Sequence, residues 1–479
     1  MITWPSLAPR PKKGSGTVVR STLRAAGATV PDPFFGRNAG QAFCSLPMPP
    51  GAEDHLTRVE LDRLQEGRLR ALLDAILPQN LFYAAKLSAT ALLLDRLHLR
   101  EVFNQLPFTM KSELIADQKA NPPYGTNLTY PLSQYTRLHQ TSGTSGQPLR
   151  WLDTAETWSW VVGCWGQVYR AAWIEPADRF FFAFSFGPFL GFWSAFEGAG
   201  HRGCLTIAGG GLTSLARLRA LIDNRCTAIV CTPTYALRLA EVAKENNIIL
   251  GPETPGYSVR AVFVAGEPGG SIPETRRRIE QTWHARVFDQ SGMTEIGAAT
   301  YECFEGPGGL HVMEADFLPE IVDPMTGQPV QNGDIGELVL TNFGRIGSPL
   351  LRYRTGDLVR ASKRPCPCGR SFLRLEGGIL GRTDDMIHVR GNNLYPSALE
   401  AVIRRFAEIA EYRVALAANG PLTEVKISIE PAREAFGSHL AERVSQAIRE
   451  ELLFRAEVAE VPPGTLPRFE MKAKRIVHE

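Results

Sequence analysis

The sequence predicts an α/β protein with a large N-terminal domain and a small α+β C-terminal domain. Three observations lead there. At 479 residues the chain exceeds what one ordinary core organises and suits a large unit plus a smaller one. Between about Asp54 and Gly381 short β-rich runs alternate with helical ones, the pattern of a domain whose ligand loops sit at strand ends. After Gly381 the pattern changes to two pairing strands and an amphipathic helix. The expected divisions are a basic, poorly ordered extension at 1–53, the large domain at 54–381 and the small one at 382–479.

Each element has its own justification. The first thirty residues hold Arg10, Lys12, Lys13, Arg20 and Arg24 and no acid. Pro5, Pro9 and Pro11 oppose the amphipathic helix of a transit peptide, and no apolar run suits secretion. Leu61, Leu64, Leu69, Leu72, Leu73 and Ile76 recur three to four apart and predict a helix. Phe180 to Phe196 is uncharged but shorter than the ~20 residues of a spanning helix, and Gly187-Pro188 interrupts it. It predicts a buried strand, a turn and the start of a helix, with no membrane span. Thr227 to Cys231 predicts a strand and Thr234 to Glu245 the helix after it. Ala261 to Val264, Arg286 to Phe288 and Gly336 to Phe343 predict further strands. Val414–Leu416 and Val425–Ile429 pair around Asn419-Gly420-Pro421, and Leu440, Val444, Ile448 and Leu452 line one helix face.

Composition narrows the function classes. Hydrophobic content of 44% with 21% charged residues is that of a soluble globular protein. A formal net charge of +2 shows no bias toward nucleic acid or an anionic membrane. The eight cysteines are sparse and lack a secreted spacing, so a reducing cytoplasm is the expected home. Oligomeric state is left open, a homodimer included.

Four motifs carry chemistry. Thr141-Ser142-Gly143-Thr144-Ser145-Gly146 offers two glycines, which let backbone N–H groups approach phosphate oxygens, and four hydroxyls that add donors. The spacing of a P-loop is absent. Tyr353-Arg354-Thr355-Gly356-Asp357 ends in a carboxylate able to accept from two hydroxyls. Gly381-Arg382-Thr383-Asp384-Asp385 marks the change of composition, with Arg390-Gly391-Asn392-Asn393-Leu394-Tyr395-Pro396 after it. Near the end stands Leu466-Pro467-Arg468-Phe469-Glu470-Met471-Lys472. In this order they resemble the core motifs of the adenylate-forming superfamily, and the run around Gly381 to Pro396 is similar to its phenylacetate–CoA ligase branch.

That resemblance implies a large adenylate-forming domain and a mobile small domain, acting on ATP, Mg²⁺, CoA and a carboxylic acid. Thr141 to Gly146 would hold phosphates, and Ala265, Gly266 and Glu267 would form the adenine-side turn. Thr294, in Ser291-Gly292-Met293-Thr294-Glu295, would contact the α-phosphate, and Glu295 would help hold Mg²⁺. Asp357 would bind the ribose and Arg382 the nucleotide. Asp384 would be the hinge, and the loop at Arg390 and Gly391 would enter the site for thioester formation. Lys472 would bridge carboxylate and α-phosphate during adenylation, whereas Lys474 and Arg475 read as surface charges. The chain departs from its relatives at Gln147 and Leu149, where they often have lysine, at Ser291, where they have tyrosine, and at Met471, where they have glycine.

Cys303, His311, Cys366 and Cys368 offer three thiolates and an imidazole, an allowed tetrahedral zinc set. Some relatives carry a similar set around structural zinc, so the resemblance implies a closed site tying loops together. The other five cysteines read as core fillers. Phe182, Phe184, Phe186, Phe189 and Trp193 suit an aromatic wall for an aryl or arylalkyl acid, though most also suit a plain core. Two alternatives stay open: an adenylating enzyme with a carrier-protein or other acceptor, and an idle nucleotide-binding paralogue.

Overall fold

The computed structural model describes residues 51–479 apart from 78, 90–102, 142–147, 386, 390–391, 420–421, 433–434, 436–438, 470–472 and 479. The basic extension therefore lies almost wholly outside the described residues. Helix α1 (Arg58–Ile76) opens with a capping box in which Thr57 and Glu60 satisfy each other's backbone N–H groups. Its Leu61, Leu69, Leu72, Leu73 and Ile76 are buried, as their spacing predicts, and Leu64 is half-buried. Short α2 (Leu81–Lys86) and then α3 (Lys111–Ala120) follow. An antiparallel hairpin of β1 (Tyr135–Gln140) and β2 (Arg150–Thr154) then flanks the glycine-rich segment.

Helix α4 (Ala155–Ala171) leads into β3 (Arg179–Phe182), α5 (Leu190–His201), β4 (Leu205–Ala208), α6 (Ser214–Asp223) and β5 (Ala228–Cys231). After α7 (Pro233–Glu245) come β6 (Ala261–Val264), α8 (Pro273–Trp283) and β7 (Arg286–Asp289). The strands form a parallel five-stranded sheet in the order β4-β3-β5-β6-β7. Alternation decides which face each side chain meets. Phe180, Phe182, Val230, Phe263 and Phe288 pack with α4 and α5, while Phe181, Ile229, Val262, Val264 and Val287 pack with α6, α7 and α8. Because helices cover both faces, apolar runs such as Ala261–Val264 are continuous. Phe180 to Phe196 is the strand, turn and helix start that its glycine and proline predict.

Past β7 the chain makes a tight hairpin, β8 (Gly292–Met293) and β9 (Gly297–Ala298). Strands β10 (Thr300–Tyr301) and β11 (Gly309–Val312) follow, then β12 (Phe317–Val322), β13 (Ile335–Asn342), β14 (Tyr353–Arg360), β15 (Arg374–Glu376) and β16 (Gly381–Arg382). They build a three-stranded sheet, β10-β11-β15, and a four-stranded one, β12-β13-β14-β16. The second places Asp357 directly opposite Arg382.

The C-terminal part has its own core. Strands β17 (Ile387–Val389) and β18 (Asn392–Leu394) precede α9 (Pro396–Arg404), β19 (Ile409–Asn419), β20 (Leu422–Pro431), α10 (Leu440–Leu452), β21 (Glu457–Glu460) and β22 (Ile476–His478). Leu399, Val402, Val414, Ile427, Ile429, Leu440, Val444 and Ile448 are buried together. The pairing of Val414–Leu416 with Val425–Ile429 is antiparallel, and β21 and β22 add parallel edges. One expectation is corrected. Arg475 is no surface charge: only 8% exposed, it donates to Glu411 Oε1 at 2.7 Å and to Thr234 Oγ1 at 3.2 Å. The reason is β22, which draws Arg475 against β19 and its acidic Glu411; Lys474 is exposed as expected.

Candidate active site

Three of the loops singled out in the sequence leave the carboxyl edge of the parallel sheet, where open α/β sheets hold ligands. Ala265-Gly266-Glu267 follows β6, Gln290 to Glu295 follows β7, and the aromatic turn follows β3. Gln140, at the end of β1, donates its N–H to Pro188 O in that turn at 2.8 Å. Helix α5 packs against β8 and β9. The aromatic turn thus lies between Gln140 and the Thr294 hairpin.

Of the glycine-rich segment, only Thr141 is among the described residues. Its Oγ1 accepts from Leu149 N at 3.0 Å and its N–H donates to Leu149 O at 3.0 Å, closing the base of the loop. The hairpin after β7 needs Gly292, because a Cβ there would come within 2.3 Å of Gly297 O. Ser291 N donates to Thr300 Oγ1 at 2.9 Å, and the two hydroxyls lie 2.8 Å apart. Arg345, fully buried, holds the hairpin from below. It donates to Thr294 O at 2.6 Å, Glu295 O at 3.0 Å and Asp153 Oδ1 at 2.7 Å.

The Glu295 carboxylate is 3% exposed and ion-paired with Lys111 Nζ at 2.9 Å. Tyr353 OH donates to the same oxygen at 3.3 Å. Lys111 reaches it because Thr109 bridges to Tyr353, with backbone bonds to Arg352 and Arg354. Helix α3 is also pinned to β2 by paired bonds between Gln118 and the Arg150 backbone. Reasoning from sequence missed Lys111, Arg345 and Asp153. The one signal for Lys111 was the lack of lysine at Gln147 and Leu149, which leaves the glycine-rich segment without a cation of its own.

Arg382 donates to Asp357 Oδ1 at 2.9 Å and forks onto Asp384, with Nε to Oδ1 at 2.8 Å. Burial would lower its basicity, but Asp384 and Asp357 outweigh that and hold it charged. The ribose candidate, the nucleotide candidate and the hinge candidate thus form one chain of ion pairs. Glu267 lies in the turn after β6 that was expected on the adenine side, and its side chain faces α7 and the C-terminal tail. Its two carboxylate oxygens accept from Thr234 N at 2.9 Å and Ala473 N at 2.7 Å. Lys472, Arg390 and Gly391 lie outside the described residues. Of the aromatic wall, Phe182 and Phe184 are core, whereas Phe186 and Phe189 are half-buried and Trp193 is 37% exposed.

The four metal-candidate residues meet. Cys303 follows β10, His311 lies in β11, and Cys366 and Cys368 come from the loop before β15; their ligand atoms all lie within 4.8 Å of one another. Cys303 Sγ is 3.5 Å from Cys366 Sγ, and Cys368 Sγ is 3.4 Å from His311 Nε2. Donors about 2.0–2.3 Å from one tetrahedral centre stand roughly 3.4–3.8 Å apart, so the set fits a zinc ion. Gly306 makes room, since a Cβ there would lie 2.5 Å from Cys366 Sγ.

Comparison with known proteins agrees with this geometry. Residues 62–344 match the family described as AMP-binding enzyme, and residues 391–479 match the AMP-binding enzyme C-terminal domain. A phenylacetate-coenzyme A ligase of Thermus thermophilus is 30% identical over 437 residues, spanning 87% of this chain and 95% of its own. Among solved structures, a 2-hydroxyisobutyryl-CoA ligase in its postadenylation state with 2-HIB-AMP superposes with a TM-score of 0.84 at 26% identity, over 91% of this chain and 94% of that one. With 2-HIB-AMP and CoA in the thioesterification state, that ligase gives a TM-score of 0.67 at 28% identity, over 89% and 91%. The chain belongs to the AMP-binding enzyme family.

Proposed function

We propose that this enzyme is an ATP-dependent carboxylate–CoA ligase that works through an acyl-adenylate and takes an aryl or arylalkyl acid. The observation that carries the reading is the match to a phenylacetate-coenzyme A ligase over 87% of this chain and 95% of that one. A substrate carboxylate attacks the α-phosphorus of ATP, forming an acyl–phosphate bond as the bond to pyrophosphate breaks. CoA thiolate then attacks the acyl carbon and AMP leaves. The first step converts a poor leaving group into a good one.

The residues divide the work. Asp357 accepts from the ribose hydroxyls, and Arg382 steadies it. Thr294 contacts the α-phosphate, with Arg345 fixing its backbone. Lys111 supplies positive charge beside Glu295 and compensates for the missing loop lysines, where charge develops on the phosphoryl oxygens. Glu295 would help hold the magnesium that enters with ATP, and that ion would offset pyrophosphate charge. Lys472 brings carboxylate and phosphate together. Cys303, His311, Cys366 and Cys368 would hold a structural zinc ion, which would tie three loops together.

The two-state comparison supports a second part of this reading: the C-terminal domain sits here much as in that ligase's postadenylation state and turns at Asp384 before CoA attacks. The test is carboxylate-dependent exchange of labelled pyrophosphate into ATP, over aryl, arylalkyl, hydroxy and short aliphatic acids. Exchange with an aryl or arylalkyl acid is expected. Exchange confined to hydroxy acids would move the substrate class, and silence from folded protein with Mg²⁺ would overturn adenylation.

A further inference from the structure

We infer that Glu267 is a positioning residue for the first half-reaction: it latches the C-terminal tail to the large domain and lets go when the small domain turns. This rests on the two-arrangement reading above. Glu267 lies in the turn after β6, where a nucleotide role was expected, yet its side chain is committed elsewhere. One oxygen accepts from Thr234 N in the first turn of α7, and the other accepts from Ala473 N. Ala473 directly follows Lys472 in the chain. The carboxylate therefore joins two backbone N–H groups that have no partner in regular structure, one from each domain. A helix N-terminus favours negative charge, which makes α7 a firm seat for one end of the latch.

Neighbouring contacts run across the same boundary and share the same side of it. Arg475 reaches Thr234 Oγ1 directly at 3.2 Å, while Ala473 reaches the start of α7 through the Glu267 carboxylate. Arg468 Nε donates to Glu241 at 3.3 Å, further along α7, while its other nitrogens hold Glu430 in β20. Arg278 of α8 donates to Ile409 O at 2.9 Å. Among the described residues, Glu267 engages the tail within one residue of Lys472. Turning the small domain breaks these bonds together, and water can replace each of them. The backbone of Ala265 and Gly266 stays available to the nucleotide, while the Glu267 carboxylate serves the tail.

The test uses the full-length enzyme with magnesium, comparing wild type with Glu267→Ala, Glu267→Gln and Glu241→Ala. Three quantities are read: pyrophosphate exchange, thioester formation from supplied phenylacetyl-AMP and CoA, and amide hydrogen exchange of peptides spanning residues 462–476. Glu267→Ala should lower pyrophosphate exchange tenfold or more, keep thioester formation within twofold, and speed tail amide exchange about tenfold. Glu267→Gln retains one acceptor and should fall between. Glu241→Ala lies away from the nucleotide turn, so it reads the same latch if Glu267→Ala does not fold, with a smaller loss in the same direction. Equal losses in both half-reactions, or unchanged tail protection, would overturn the latch. Failure of the ligase reading looks different: wild type itself would show no exchange, while tail protection would still report on Glu267.

Discussion

At the residue scale, two side chains follow from burial and charge. Lys111 is the cation that the loop sequence lacked, set on Glu295 by the Thr109 bridge. Removing one group that offsets developing charge costs about 10²–10³ in rate. Lys111→Ala should therefore slow acyl-AMP formation by that order, and Lys111→Arg should recover part of it; unchanged pre-steady-state rates would remove Lys111 from the mechanism. Asp289, at the end of β7, is a separate case. Burial pushes its carboxyl up to about 7 from 3.8, even though the Ser271 hydroxyl donates to it. A raised carboxyl favours the protonated folded state, so its contribution is full below about pH 4 and is lost as pH rises through about 7. Asp289→Asn should leave the unfolding midpoint nearly unchanged below about pH 4 and raise it by a few degrees at pH 8. A variant with the wild-type pH profile would show that Asp289 ionises without cost.

At the element scale, the zinc candidate shows how separated loops become one unit. Cys303, His311 and the Cys366–Cys368 pair come from three places around the β10-β11-β15 sheet. The same loop also holds the start of the described chain: Ser371 donates to Leu56 O at 2.6 Å and Arg370 to Asp54 at 3.4 Å. Gly306→Ala would press a methyl group on Cys366 Sγ, a steric cost of roughly 1–3 kcal/mol. The purified enzyme is expected to carry about one equivalent of zinc. Gly306→Ala should hold less and melt lower, as read by metal analysis and thermal unfolding. Wild-type protein that is metal-free, stable and active would remove the metal.

At the scale of the whole molecule, the expected cycle predicts an asymmetry. Lys472→Ala should lower pyrophosphate exchange by at least a hundredfold and spare thioester formation from supplied acyl-AMP, because the small domain presents different residues in each half. Parallel losses in the two assays would contradict the role given to Lys472. Such a turn would suit the boundary among the described residues, where hydrogen bonds and ion pairs such as Arg468–Glu241 can be replaced by water. The core of the C-terminal domain, from Ile387 to Ala456, is closed on itself.

By itself the sequence determined the α/β order, the strand at Ala261–Val264, the helix beginning at Arg58 and the motif set that implied adenylation. These are local: periodicity, capping and glycine placement act within a few residues, and a motif survives being read in isolation. The cysteine and histidine set was readable too, because ligand chemistry limits the choices. Only the tertiary structure decided that Lys111 faces Glu295 across 184 residues, that Arg345 holds the Thr294 backbone, and that Arg475 is buried. It also decided that the Glu267 carboxylate meets Ala473. Each of these is a charge whose partner comes from a distant strand or helix. Charged residues carry no periodic signal of their partners, so their pairing appears only when the sheets bring them together.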